Sequence, residues 1–230
     1  MKRSALYNRE EITCILEKGV AMIPIRGIIL DVDGTFIDSN DAHAKSWAEA
    51  MAAYSYNVAF EKVRPLIGMG GDKVLPHTIH LQKDSESGSQ MSKRREAIFK
   101  KRYLPRLRAF PGAQELLQEM RKRGLKLAIA SSAQPDELKS LLRLLGAEDL
   151  VEEKTSSKDV SRSKPDPDVM QVTLMRTGLD AHEALMIGDT AYDIEAARTV
   201  QVRAIAFRCG GWKDADLAGA LAMYDGPADL

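Results

Sequence analysis

Apolar positions along the chain follow two alternating patterns. Short runs rich in Ile, Val, Leu and Ala read as buried parallel strands: Ile25 to Val32, Leu125 to Ala130, Ala184 to Ile187 and Val202 to Phe207. A weaker fifth strand is expected around Leu150 to Glu152. Between them lie stretches with helical spacing. Pro111 and Gly112 open one that carries Leu116, Leu117 and Met120 and closes at Gly124. Another runs from Pro135 through Leu138, Leu141, Leu142 and Leu145 to Gly146, and Pro167 to Arg176 and Ala191 to Thr199 complete the set. Strand and helix in alternation predict an α/β fold, a Rossmann-like parallel sheet with helices on both faces.

The interval 41–109 breaks this alternation. Its pattern is helical almost throughout, from a first helix on Ala44, Trp47, Ala48 and Met51 to a last, basic one from Met91 to Arg108. Gly68-Met69-Gly70-Gly71 and a polar linker, Asp84 to Gln90, lie between. The expected organisation is a core of 25–40 and 110–230 with an all-helical unit, 41–109, inserted after the first strand. Residues 1–24 read as an extension with one amphipathic turn (Ile12, Ile15, Leu16), and removal of 1–21 is expected to change little.

Composition narrows the class. With 44% hydrophobic and 29% charged residues the chain has ordinary globular usage. Its 33 Lys plus Arg balance 33 Asp plus Glu, so no global field recruits nucleic acid or an anionic membrane. The basic run Lys93-Arg94-Arg95 to Lys100-Lys101-Arg102 reads as a solvated helix face, with Phe99 and Tyr103 turned to the core of the helical unit. No apolar run approaches the roughly 20 residues of a spanning helix. Asn8, Arg9, Glu10 and Glu11 stand where a signal peptide needs apolar residues. Cys14 and Cys209 are far apart with no thiol or His ligand pattern beside them, which argues against a disulfide framework and for a reducing cytoplasm.

Four segments carry candidate chemistry, each at the end of an expected strand or in a strand-to-helix loop. Asp31-Val32-Asp33-Gly34-Thr35 places two carboxylates at a strand end, where open α/β sheets bind ligands. Such a pair suits phosphoryl transfer, with one carboxylate as nucleophile and one as acid/base. An Asp-Gly turn leaving a strand is the plain structural reading. Gly188-Asp189-Thr190-Ala191-Tyr192-Asp193 repeats the strand, acidic turn, helix order; its oxygens suit Mg²⁺, or simply cap the helix. Lys164, in the proline-stiffened Ser163-Lys164-Pro165-Asp166-Pro167, can face a phosphate and offset crowded carboxylates. Ser131 and Ser132 end the second strand, where hydroxyls donate to phosphate or merely form a turn.

Taken in order, with the helical insert between the first and second, these segments resemble the four motifs of the haloacid dehalogenase superfamily from Ile25 to about Phe207. The resemblance implies a magnesium-dependent phosphatase of a small phosphorylated metabolite, acting through an aspartyl-phosphate beneath a helical cap. Asp31 would be the nucleophile and Asp33 the general acid/base. Ser131, with Ser132, Thr35 and the backbone amides near Gly34, would hold the phosphate, and Lys164 would bridge phosphate and Asp31. Asp31, the Asp33 carbonyl and Asp189 would ligate Mg²⁺, with Asp193 beside it or reaching it through water.

Dehalogenation fits poorly, because dehalogenating members lack the second aspartate and Asp33 is present. A β-phosphoglucomutase-like activity is the rival, since Asp41-Ala42-His43 and Trp47 are similar to that enzyme's cap entrance. His43 there is either a surface residue or a site residue, binding substrate or helping to govern the general acid. Gly71 stands where the mutase has a cap arginine, leaving Lys73 as the nearby substitute, and Gly188 replaces a metal-binding glutamate; both departures favour hydrolysis. A phospho-acceptor signalling module uses similar residues without turnover, but at about half this length and without a helical insert. The substrate and the oligomeric state are not legible in the sequence.

Overall fold

A computed structural model describes residues 24–230. The N-terminal extension expected over 1–24, its amphipathic turn and Cys14 therefore lie, but for Pro24, outside the described residues. The first strand, β1 (Gly27–Leu30), is flanked by β2 (Lys126–Ala130) and β4 (Ala184–Gly188). β3 (Glu153–Thr155) joins β2, and β5 (Arg203–Phe207) and β6 (Ala222–Tyr224) extend the far side. All pairings are parallel, in the order β3-β2-β1-β4-β5-β6.

The sheet is Rossmann-like because its strands are apolar on both faces. In β1, Ile28 and Leu30 pack on one side with Ile129, Leu117, Leu141 and Phe207. Ile29 packs on the other with Met186, Met170, Ile194 and Ala197. The first face is covered by α5 (Ala113–Lys122) and α6 (Pro135–Leu145), the second by α7 (Asp168–Thr177) and α8 (Ala191–Thr199). Their ends follow local chemistry. Pro135 sits at the first turn of α6, and Gly146 (φ 67°) ends it in the left-handed conformation that a side chain disfavours. Thr190 and Asp193 form a reciprocal capping box on α8.

Helices α1 (Asn40–Ala52), α2 (Phe60–Val63), α3 (Gly71–Ile79) and α4 (Glu86–Ile98) enclose a separate apolar cluster of Ala44, Trp47, Met51, Val74, Leu75 and Met91. The expected linker 84–90 is not one: Ser85 caps α4, accepting from Gly88 N–H at 3.1 Å, and Glu86 to Gln90 are helical. Gly88 lowers helix propensity, but it lets the helix lie against the Gln82 carbonyl, which a Cβ would strike. The expected long helix to Arg108 stops at Ile98, followed by a wide turn, Phe99–Tyr103, and a short 3-10 turn, Leu104–Arg106, that begins ahead of Pro105.

Two further expectations are corrected, and one strand was not foreseen. Phe99 and Tyr103 pack with the sheet's core cluster, not the helical unit's own. The fifth strand lies at 153–155, three residues later than its apolar signal, because Leu150 and Val151 turn into the core ahead of it. β6 was missed, since Ala222-Met223-Tyr224 is a half-buried edge strand too short for a pattern.

Beyond β3, Asp159 accepts hydrogen bonds from Ser156 N and Oγ (2.8 and 2.7 Å) and from Arg176 of α7 (2.6 Å). Burial pushes its carboxyl up, but these donors and the Arg176 charge more than offset that and hold it at about 2. An unfolded Asp titrates near ~3.9. The stabilisation is therefore complete above about pH 4 and is lost as pH falls through about 2. Calorimetric scans should show the melting-temperature gap between wild type and Asp159→Asn closing across that interval; a constant gap would contradict the linkage.

Candidate active site

Asp31 leaves β1 with its backbone N–H donating to Ile187 O of β4 at 2.9 Å, so its side chain emerges at the C-terminal edge of the sheet. The chain then reverses: Gly34, at φ 79°, donates its N–H to Ile37 O at 2.8 Å. A side chain at Gly34 would strike the Asn40 amide and the Asp189 carboxylate, so glycine is needed for both conformation and space. The same bond corrects one expectation, because Gly34 N–H is already spent and does not face a phosphate.

Three buried carboxylates converge here. Oxygens of Asp31, Asp189 and Asp193 lie within 4.8 Å of one another. Lys164, fully buried, donates to Asp31 Oδ1 at 2.7 Å and Asp193 Oδ1 at 2.6 Å. The other Asp193 oxygen accepts from Thr190 N and Oγ (3.1 and 2.7 Å), so both of its oxygens are engaged. Thr35 Oγ is placed between Asp31 Oδ2 at 3.0 Å and Asp189 Oδ1 at 2.9 Å. It is fully buried. Asn40 Nδ2 donates to Asp189 Oδ2 at 2.8 Å and to Gly210 O at 3.1 Å.

The electrostatics follow from burial. Asp189 is pushed well above the usual carboxylate range by desolvation and then by the charges of Asp31 and Asp193. Asp31 is also raised, by desolvation first, with Lys164 opposing and Asp193 and Asp33 adding to the rise. Desolvation would lower Lys164, but Asp193 and Asp31 more than reverse it and keep the ammonium charged. Cys209, near Gly34 O at 3.5 Å, is pushed up to about 12 by burial and the Asp189 charge, so it is no nucleophile.

Asp33 faces a cavity of about 310 Å³ between the sheet edge and the helical unit, which Asp31 also lines. Asp33 Oδ1 accepts from Ser39 Oγ and pairs with His43 Nε2, both at 2.6 Å. Arg95, which can only donate, reaches His43 Nδ1 and pairs with Glu137 at 2.8 Å. Nδ1 therefore accepts, and Nε2 carries the proton given to Asp33. Burial raises the Asp33 carboxyl, but attraction to and the hydrogen bond from His43, then Ser39 and the Arg95 charge, bring it below its usual value. His43 is thus buried against the acid/base candidate and stacked on Phe99 at 4.2 Å, not a surface residue.

Ser131, Ser132, His43, Asp31 and Asp33 all line the cavity, whereas Gly34, Lys164, Asp189 and Asp193 stand behind it. Ser131 Oγ accepts from Ala133 N–H at 3.0 Å, leaving its hydroxyl proton free for a ligand. Ser132 Oγ donates to Gly68 O at 3.1 Å and so ties the sheet edge to the glycine loop. That loop also grips the Lys164 segment: Gly70 N donates to Ser163 Oγ at 2.8 Å, Ser163 N to Asp72 Oδ2 at 3.0 Å, and Lys73 pairs with Asp166. Lys73 is therefore held outside the cavity, and it is Lys83 whose stem lies beside Gly71. The sequence reading missed Asn40, Ser39, Glu137 and Arg95. Nothing distinguishes Arg95 within a basic run until the fold shows that it alone of Arg94 and Arg95 turns inward.

The family model for haloacid dehalogenase-like hydrolases matches residues 28–207. The chain belongs to that family, and it is a phosphatase. Phosphoglycolate phosphatase of Rhodospirillum rubrum is 27% identical over 217 residues, covering 89% of each chain. The crystal structure of a hydrolase from Pseudomonas syringae superposes with a TM-score of 0.82 at 32% identity, covering 89% of this chain and 95% of that one. A β-phosphoglucomutase structure from Clostridium difficile has a TM-score of 0.76, at 90% and 93% coverage; its 17% identity shows the fold alone. Among the described residues no helix is long and apolar enough to cross a membrane.

Gly210 tests how tightly Asp189 is held, because a Cβ there would run into that carboxylate. A displacement of ~1 Å at a reacting centre costs on the order of 100-fold. Gly210→Ala should therefore lower phenyl phosphate hydrolysis by about 100-fold while circular dichroism stays native. Wild-type turnover would show that the position of Asp189 is immaterial.

Proposed function

We propose that this phosphatase hydrolyses a small phosphorylated metabolite with Mg²⁺, through an aspartyl-phosphate on Asp31. The observation that supports it most is the Lys164 ammonium 2.7 Å from Asp31, beside two further buried carboxylates. The donor set fits a hard cation. The single Thr35 hydroxyl proton cannot serve Asp31 and Asp189 at once, so without a cation those carboxylates must share a further proton. Asn40 Oδ1, on the amide bonded to Asp189, is a further buried oxygen with no partner. Asp31, Asp189 and the Asp33 carbonyl are the proposed ligands. Asp193, its oxygens committed to Lys164 and Thr190, supports Lys164 instead. When bound, Mg²⁺ would offset the phosphate and carboxylate charges.

In the first half, Asp31 attacks phosphorus as the ester P–O bond breaks, and the leaving oxygen takes a proton from Asp33. In the second, Asp33 removes a proton from water, which attacks the aspartyl phosphorus and releases phosphate. Asp33 Oδ2 makes no hydrogen bond among the described residues, whereas Oδ1 is fixed by Ser39 and His43; the carboxylate is thus aimed with one oxygen free. Ser131 donates to the phosphate oxygens, and Lys164 stabilises their growing charge in a site shielded by the helical unit 41–109, the proposed cap. A mutase reading depended on a cap cation for the second phosphate, and Lys83 keeps that structural option open; the phosphatase relatives favour hydrolysis.

Asp31→Asn should abolish phosphate release and any covalent phosphoryl adduct with the fold intact. Asp33→Asn should slow turnover by about 100-fold or more while an adduct persists, as intact mass spectrometry would show. Metal-dependent turnover by Asp31→Asn would overturn the mechanism. Separately, calorimetric titration should show Asp189→Ala weakening Mg²⁺ binding far more than Asp193→Ala; the reverse order would mean that the ligands are misassigned.

A further inference from the structure

Asp189 is held by donors that carry no charge, and one of them is itself held from the helical unit. Asn40, the first residue of α1, is buried, and its amide group makes two bonds. Nδ2 donates to Asp189 Oδ2 at 2.8 Å and to Gly210 O at 3.1 Å, which uses both of its protons. The second bond therefore sets the direction of the first. Gly210 ends the turn Arg208–Gly210 that follows β5, and a Cβ there would run into the Asp189 carboxylate. Arg64 closes this arrangement from the helical unit. It stands in the turn Arg64–Leu66 after α2; its Nη2 donates to the same Gly210 O at 2.5 Å, and its Nε to Asp41 Oδ1 at 2.8 Å. A carbonyl oxygen has two lone pairs, so with Asn40 and Arg64 this one is filled. Gly211, at φ 86°, brings the backbone against the guanidinium, and a Cβ there would lie 3.0 Å from Nη2.

We infer that Asn40 and Arg64 are positioning residues for Asp189, acting through the Gly210 carbonyl, so that the helical unit's contact with this turn raises the Mg²⁺ affinity of the carboxylate cluster. This rests on the reading of Asp189 as a metal ligand. Lys164 bonds the other two carboxylates, Asp31 and Asp193, so the direction of Asp189 depends on Thr35 and the Asn40 amide. A carboxylate left free to turn must be ordered by the cation itself, which lowers affinity. The sign of the Arg64 effect is diagnostic. By charge alone, a guanidinium bonded to the carbonyl that packs on Asp189 repels a cation, and its removal tightens Mg²⁺ binding. By position, its removal releases the carbonyl and then the amide, and weakens binding.

Calorimetric titration of Mg²⁺ into the metal-free full chain, at fixed ionic strength and without substrate, decides between the two. Arg64→Met keeps the apolar stem and removes the donors. It should weaken Mg²⁺ binding about tenfold while circular dichroism stays native. Asn40→Ala should weaken it at least as much, and adding Arg64→Met to Asn40→Ala should cost less than about threefold more, because the amide through which Arg64 acts is gone. Tyr192→Phe removes a different bond to the helical unit, from Tyr192 Oη to Pro65 O at 2.6 Å, and should leave Mg²⁺ affinity at the wild-type value. Unchanged or tighter binding by Arg64→Met would overturn the inference. So would full additivity with Asn40→Ala, or an equal loss in Tyr192→Phe, which would trace the effect to docking of the helical unit in general. Asp189→Ala in the same series checks the underlying reading. If it binds Mg²⁺ as wild type does, the ligand assignment falls and this inference with it; if it weakens binding and Arg64→Met does not, only the positioning role falls.

Discussion

A single buried ammonium makes this sheet edge tenable. Asp31, Asp189 and Asp193 are brought together out of water, and each isolated buried charge would cost several kcal/mol even after relaxation. Lys164 enters from the loop before α7 and bonds two of the three at once. Its own burial is tolerable only because those carboxylates hold it charged. The third, Asp189, is restrained by neutral donors, Thr35 and Asn40, which position it without neutralising it. The cluster is consequently short of positive charge on the Asp189 side, which is where a divalent cation is of most use.

That constraint links the helical unit to the sheet. The loop that delivers Lys164 is gripped by Gly70, Asp72 and Lys73, so the segment that neutralises the carboxylates also anchors the unit above them. On the opposite side Glu137 of α6 holds Arg95 of α4, which reaches Asp33 through His43. Breaking one partner of such a buried ionic chain leaves an uncompensated charge, so the docked arrangement and the orientation of Asp33 are coupled. The unit closes over the cavity and at the same time sets one oxygen of the acid/base candidate.

The two ends of the cavity thus differ in origin. The sheet edge lines it with carboxylates and hydroxyls, while α4 and the segment before it add Lys93 and Lys83.

The sequence by itself determined the α/β class, four of the strands and the sheet helices, because buried parallel strands are continuous apolar runs and their helices have punctuated ends. It also pointed to groups that meet at the sheet edge, since Asp31 and Asp189 follow strands and Lys164 lies in a proline-flanked turn. Only the tertiary structure decided what these groups do to one another. That Thr35 lies between two carboxylates and that Asp193 grips Lys164 depend on side chains meeting across 154 and 29 residues of chain. Helix α4 shows the limit most clearly. Gly88 and a run of charges disguise its start and its buried face, and Arg95 differs from Arg94 only in direction. A helical position 100° from its neighbour is a matter of phase, and phase against a partner surface is not written in local pattern.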